Sequence, residues 1–521
     1  NTTASNNTAV GYSALTDNTT GEANTALGSV ALDANTTGGF NTGLGVHALG
    51  ANTTASYNTA VGWGSLKVNT TASQNTAVGY QVLTATTTGD RNTASGYRSM
   101  ATNTTGTTNT AYGSETLRDN TTGTGNVAIG WATLAINTTA SYNTAVGVSA
   151  LLYNTTGANN VSIGSFTLDA NTTGASNVAV GANALSANST ASDNTAVGRN
   201  ALKDNTTGTS NTAVGYAALQ NLTTGGSNVA IGYQALRDSA TGSSNIAIGQ
   251  NALVYNSSGA NNVGVGQNAC FNTTTGTTNV GVGSNALLSN TTGDRNVAVG
   301  FNALDACTTG SQNIGVGADA LSTLTTGVYN VAVGDDALGA ATTSNRNTGI
   351  GLSAGREITT GAFNTAVGSA AMGGATTITG SDNIALGSWH DGVIEGPLAA
   401  VSSGGLNTAI GNGCLRALTT ASHNHAIGYS ALSAVTTGDG NVALGYQAGD
   451  VITDGTGNCA IGNMADCGGG SAVNRIAIGN QVNCQSNNRI SVGQGSQIAS
   501  LELNGSDTSW AASSDERLKE N

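Results

Sequence analysis

Reactive chemistry has few places to sit in this chain of 521 residues. At its end, in SSDERLKEN (Ser513–Asn521), the hydroxyl of Ser514 lies next to the amide it would attack, and the acid Asp515 follows directly. That order suits an N→O acyl shift and cleavage between Ser514 and Asp515, given backbone strain and a positioned base. Ser514 and Asp515 are the catalytic candidates; the plainer reading is a polar tail. A second cluster, Trp389, His390 and Asp391, combines an aromatic ring with two polar groups and suits a receptor contact. His390 has no Ser or Cys in a recognisable catalytic arrangement, so no enzymatic role is expected there.

Other motifs lead to bland readings. G-x-G and G-x-x-x-G recur, but no Lys-Ser/Thr follows them and no βαβ unit surrounds them, so no nucleotide site is expected. Six cysteines (Cys270, Cys307, Cys414, Cys459, Cys467, Cys484) show no ligand-like spacing. Cys270 reads as a small buried hydrophobe, with disulfides or a metal site as the alternatives. No metal or other cofactor is implied. N-T-T sequons at Asn18, Asn35, Asn52 and Asn69 would accept glycans in a secreted eukaryotic protein, but a repeated corner explains them better. Aromatic residues recur at two places, as in Tyr12, Trp63 and Tyr80 and in Phe40, Tyr57 and Tyr142. They suit either sugar stacking or packing on a neighbouring turn.

What must position all of these is a seventeen-residue unit, seen in Asn7–Ala23 (NTAVGYSALTDNTTGEA). Its pattern is N-[T/V/I]-A-[V/I/L]-G-x-x-A-L-x-x-N-T-T-G-x-x. The opening Asn recurs at 7, 24, 41 and onward to 364, which makes 22 consecutive starts. A fixed short period over hundreds of residues marks a solenoid or fibre. The N-T-A-V-G segment predicts a short strand, with the residues flanking the middle Ala on one face and the Ala on the other. The closing Gly (Gly11, Gly28) predicts positive φ or a close approach. The core Leu (Leu15, Leu32) is the one large aliphatic side chain of each turn. The N-T-T-G segment makes a corner: its Asn and Gly tolerate left-handed backbone, and its Thr hydroxyls can bond the backbone or stack on the next turn.

With one or two large apolar residues per turn, a lone chain is expected to form a thin coil with Ala and Thr facing outward in rows. Association would cover those rows. The expected fold class is all-β, a β-roll or β-solenoid of 17-residue turns, intertwined as a parallel homotrimeric fibre. At about 4.8 Å per strand layer, 29 aligned turns predict a rod on the order of 140 Å. The regular shaft covers 1–382, and irregular repeats follow over 383–493 with an insertion at 388–405. A strand segment is expected at 494–512, then the tail motif over 513–521. In two turns the core Leu becomes Gly (Gly355, Gly449) and an Ile appears three residues on (Ile358, Ile452), as if one apolar side chain had moved to fill the same space.

Composition agrees. There are 75 Gly, 1 Pro and 8% charged residues, and the net charge is −13. A buried ladder cannot lose N–H donors to Pro. Nucleic acid is excluded as a partner because phosphate binding needs clustered Lys/Arg. The sequence has no apolar run of about 18 residues, so membrane insertion is not expected. The chain starts in mid-repeat without Met, so a preceding segment is expected to carry targeting or attachment.

Two resemblances follow from these motifs. The N-x-A-[V/I]-G strands, over roughly 7–493, resemble the head repeats of trimeric autotransporter adhesins, which are homotrimeric left-handed β-rolls. The spacing of 14 residues typical of those heads occurs here between Arg475 and Arg489. The tail Ser513–Asn521 resembles the opening of the endosialidase-type intramolecular chaperone of phage tail fibres. That family trimerises, guides fibre folding and cuts itself off between Ser and Asp, which implies Ser514–Asp515 as the scissile bond here. Together they imply the shaft of a bacteriophage tail fibre in the virion, with itself, other tail or virion proteins and a host-cell surface polysaccharide or protein as partners. The alternative is a bacterial trimeric surface adhesin, extracellular or on the cell surface. A third is an ice-binding β-solenoid with regular Thr rows.

Overall fold

The repeat folds as a coil in which the strand of one turn lies on the strand of the turn before it. The structure is a computed structural model, and it describes residues 3–374, 377–388, 395–503, 505 and 511–513. The chain divides into two compact units, Asn1–Ala260 and Asn261–Asn521. Each is a parallel β-solenoid, and the described residues contain no helix. In particular, no helix is long and apolar enough to cross a membrane.

In the first unit, fifteen three-residue strands run from Thr8–Val10 to Ile246–Ile248, one per turn. Each pairs in parallel with the equivalent residues one turn on: Thr8 with Thr25, Ala9 with Ala26, Val10 with Leu27. The second unit pairs in the same way, Val280 with Val297. It keeps register through two longer turns, where Thr365 meets Ile384 and Ile384 meets Thr408. Within each unit the ladder partner is the same chain's own next turn.

The expected alternation of faces is present, but its sense differs from the expected outward rows of Ala. The strand Ala points in: Ala26, Ala60 and Ala230 are fully buried, while the flanking residues lie at the surface. A methyl is what so narrow an interior can hold opposite the core Leu. Leu32, Leu49 and their equivalents are also fully buried, and Leu15 in the first described turn is 7% exposed. The closing Gly behaves as expected. At Gly45, φ is +135°, and a Cβ would lie 2.6 Å from the carbonyl oxygen of Gly62 one turn on.

Left-handed backbone falls at other positions than the corner residues that tolerate it. The corner Asn and Gly do not adopt positive φ; Val30 (50°), Leu32 (53°) and Phe40 (60°) do, as do their equivalents along the chain. For an L-residue this conformation costs about 1 kcal/mol or more. Each such residue spends its N–H on an adjacent turn: Val30 on Tyr12 O (2.8 Å), Leu32 on Ala48 O (3.0 Å), Phe40 on Glu22 O (2.9 Å). The ladder therefore continues around the whole turn and offsets the strain.

The asparagines form two buried ladders. Asn41 and Asn52, the opening and corner residues of one turn, both donate from Nδ2 to Ala55 O, at 2.8 and 3.1 Å, and so close the turn. Asn41 Oδ1 accepts the backbone N–H of Asn58 one turn on (3.0 Å), and Asn52 Nδ2 also donates to Asn35 Oδ1 (2.8 Å). Buried polar groups satisfied this completely stabilise and specify a fold. In the second unit the opening ladder persists, with Asn441 donating to Gly455 O at 2.8 Å. Its corner position turns largely apolar: Cys307, Leu324, Ile358, Leu418, Val435 and Ile452 are all fully buried.

The exchange of Leu for Gly is resolved in space. A Cβ at Gly355 would lie 2.8 Å from Leu338 Cδ2 and 3.0 Å from Ile358 Cδ1. Ile358, standing where other turns carry the corner Asn, occupies the room that a core Leu would fill. Ile452 does the same beside Gly449.

The insertion is shorter than its composition suggests. From Pro397 the chain is back in the coil: Leu398 takes the core position, with its N–H on Cys414 O (3.1 Å), and Val401 is fully buried. After Arg489–Gln494 the expected strands appear. Gln497–Glu502 pairs antiparallel with Arg489–Gln494, and Ala511–Ser513 pairs antiparallel with Gln497–Glu502. This reversal covers an edge that would otherwise accept another strand.

Candidate functional site

Concavity arises where turns change length. In the second unit the turn from Asn364 and the turn from Asn383 are longer than their neighbours, and a cleft of about 720 Å³ opens beside them. Its floor is made of small residues, Ser369, Ala370, Gly373 and Gly374. The walls are Leu352, Arg356 and Glu357 on one side, and Glu395, Gly396, Ala399 and Ala400 on the other. Glycine keeps the floor low: a Cβ at Gly374 would collide with the carbonyl of Ala399, and one at Gly396 with that of Ala370.

The charged groups sit on the rim. Arg356 Nε lies 2.7 Å from Asp336 Oδ2 and 3.8 Å from Glu357 Oε1. Burial pushes the Asp336 carboxyl above its usual range, the Arg356 charge pulls it back, and Asp319 and Asp335 add to the rise. Glu395 is exposed on the opposite wall, and Leu352 presents its side chain to solvent. One guanidinium, two carboxylates, two Ser hydroxyls and an apolar wall converge on a space of ligand-pocket size. Sequence reasoning pointed to the insertion but missed Arg356, Glu357 and Glu395. The signal was the two unequal spacings in succession, from 364 to 383 and from 383 to 407.

A second surface feature is the outer face of the strands. Leu27, Ile129 and Ile231 in the first unit, and Ile350, Ile427 and Leu444 in the second, are exposed at the same strand position. Across the middle residue of the strand they are flanked by Thr25, Val127 and Val229 in the first unit and by Thr348, His425 and Val442 in the second. With strands about 4.8 Å apart and same-face residues about 6.8 Å apart, the fifteen rungs of the first unit make a strip on the order of 500 Å². Ten of these fifteen rungs begin with Thr, so the apolar part is chiefly the row at the third strand position; exposed apolar rows of this kind mark interaction sites.

The aromatic rows stack along the coil. Trp63 stacks on Tyr80 at 5.1 Å and Tyr80 on Tyr97 at 5.5 Å, with interplanar angles of 14° and 7°. Phe40 stacks on Tyr57 in the same way, and Arg346 lies between Tyr329 (5.4 Å) and Phe363 (5.2 Å). Rings stacked on one another present edges rather than faces to solvent. This favours the packing reading over sugar stacking at these stretches.

The six cysteines are free thiols. Burial pushes Cys270 and Cys467 up to about 12, and Cys307 and Cys414 up to about 11. Such thiols are inert fillers. The sequon residues Asn35, Asn52 and Asn69 are fully buried in the corner ladder, as their reading as repeated corner residues requires.

Among the sequence-derived site residues, Gly11, Leu15, Gly28 and Leu32 stand where the repeat places them. Trp389, His390 and Asp391 lie outside the described residues, and so do Ser514 and Asp515. No protein-family model matches the sequence, and no curated protein matches it.

Proposed function

We propose that the chain is a structural fibre protein, the shaft of a bacteriophage tail fibre, which holds or contributes to host-receptor binding. The observation that carries this reading is the exposed apolar row at the third position of the strand, repeated turn after turn. Its natural cover is a second and third copy of the same chain, because an identical repeat matches the spacing of the rungs without adjustment. The copies associate face to face in parallel as a homotrimer, each keeping its own ladder. A short interior built from Ala, one Leu and two Asn per turn makes a stiff element. The tail motif at Ser513–Asn521 supports a phage origin and folding assisted by a removable chaperone.

Light scattering or native mass spectrometry on the chain tests the trimer; a monomer at micromolar concentration sinks it. For cleavage, the chain extended through its C-terminal chaperone is expected to be cut between Ser514 and Asp515, and Ser514→Ala to abolish the cut. A variant that is still cut removes both residues from the proposal.

The strand motif equally suits a bacterial trimeric adhesin, and a membrane-anchor barrel encoded downstream would decide for it. The ice-binding reading needs flat Thr rows. Here the first Thr of each pair turns its hydroxyl to the next turn, as Thr36 does to Thr53 O (3.0 Å), while the second stays exposed. That leaves one fully exposed row at the corner, and thermal hysteresis in solution would be needed to sustain this reading.

A further inference from the structure

We infer that the cleft between Leu352 and Ala400 is a binding site for a neutral saccharide, a non-ionic hexose unit of a glycan. The inference rests on the reading of the chain as a fibre that meets a host surface, and it names the site and the chemistry of that meeting. The volume of about 720 Å³ exceeds a surface dimple and falls within the range of small-ligand pockets. The lining divides as a sugar ring does. Leu352, Ala370, Ala399 and Ala400 offer apolar contact for C–H faces, while Glu357 and Glu395 accept from hydroxyls and Arg356 donates to them.

Charge selects the class. Among the described residues the rim carries one guanidinium against two carboxylates, and Asp336 already lies 2.7 Å from Arg356 Nε. A uronic acid or sialic acid would bring a further negative charge to a site already in surplus, and like-charge juxtaposition rejects it. A neutral pyranose has no such conflict and satisfies donors and acceptors together. The floor is specific to this place. Where other turns carry Trp63 or Trp131 after the closing Gly, this turn has Ser369; where they carry His47 or Arg98, it has Ala370. The two longer turns open the depression, and small residues at both positions leave it unfilled.

The test uses the intact chain and saturation-transfer-difference NMR with methyl glycosides of glucose, galactose, mannose and N-acetylglucosamine, with glucuronate as the anionic control. At least one neutral glycoside is expected to show saturable transfer, and glucuronate to bind more weakly. Glu395→Gln is expected to weaken binding by about 10-fold, as loss of a charge-assisted hydrogen bond does. Ser369→Trp fills the cleft with a side chain the repeat already tolerates at that position, and is expected to abolish binding without loss of fold by circular dichroism. No transfer to any neutral glycoside, tighter binding of glucuronate, or binding that survives in folded Ser369→Trp would overturn the site. A trimer that fails to bind sugars would leave the fibre reading intact; a monomer that binds them would do the reverse.

Discussion

Asn137 donates from Nδ2 to Oδ1 of Asn120, one turn earlier, at 2.7 Å, and both side chains are fully buried. Asn120 repeats the act toward Asn103 at the same distance of 2.7 Å. The corner asparagines are thus internal struts. Where the row is interrupted, groups are orphaned: beside Thr86, neither its own Oγ1 nor Asn69 Oδ1 has a hydrogen-bond partner. Thr86→Asn restores the strut. It is expected to stabilise the fold by about 1–2 kcal/mol, the penalty for a buried unsatisfied group, measured by chemical or thermal unfolding. A neutral or destabilised variant would show that the ladder does not carry this energy.

Two glycines of one turn should respond differently. At Gly45 the backbone lies at φ +135° and a Cβ would meet Gly62 O at 2.6 Å. Gly45→Ala is expected to cost about 3 kcal/mol or more. At the corner, Gly276 lies outside the left-handed region. Several turns already carry Ala at the corner, among them Ala55 and Ala72. A Cβ at Gly276 would still lie 2.5 Å from Gly293 O one turn on, so Gly276→Ala is expected to cost about 1–2 kcal/mol, less than Gly45→Ala because no left-handed strain adds to the close contact. Denaturation midpoints of the two variants check the contrast.

The Gly355–Ile358 exchange makes a double-mutant cycle. Gly355→Leu alone overpacks against Leu338 and Ile358, at a cost of about 1–3 kcal/mol. Ile358→Asn alone empties the core there, for about 2–4 kcal/mol. The double variant restores the common pattern of the repeat, so it is expected to be more stable than the sum by at least about 1 kcal/mol. Additive losses would mean that the two side chains do not share one space.

The buried thiols set an alkaline limit. Their folded values are raised, to about 12 for Cys270 and Cys467, from an ordinary 9.0. An unfolded chain therefore releases these protons before the folded one does. The thiols' contribution is fully present below pH 9 and is lost as pH rises toward the folded values. Melting temperature is expected to fall above that point and to fall less in Cys270→Ala/Cys467→Ala, measured against the variant's own neutral value. Thiol labelling at neutral pH should be slow until denaturant is added.

Much of this fold can be read from the chain because one pattern is written many times. The closing Gly, the core Leu, the alternation about the strand Ala and the replacement of Leu by Ile358 are all visible as spacing. Which face is inward was not, because Ala and Val are both admissible inside until the width of the coil is known. The Asn ladders were hidden for a similar reason: Asn in a corner ordinarily signals a turn, and only the neighbouring turn reveals Asn120 as a strut. Left-handed Leu32 has no local signature at all, since the hydrogen bond that offsets its strain goes to Ala48 on the following turn. The cleft is the extreme case. Leu352, Ser369 and Glu395 belong to three successive turns and meet through missing bulk, which composition does not reveal.

The register of the strands also bears on how such a chain can change over generations. Because Thr8 pairs with Thr25 and Thr25 with Thr42, each residue meets its counterpart in the next copy of the unit. Removing or duplicating whole units leaves every remaining pair correctly matched, so unequal recombination between repeats alters length without touching the fold. A partial unit cannot be absorbed in this way and breaks the spacing, as it does between Asn383 and Asn407. Length is therefore freely adjustable in whole steps, and novelty enters at the steps that are not whole.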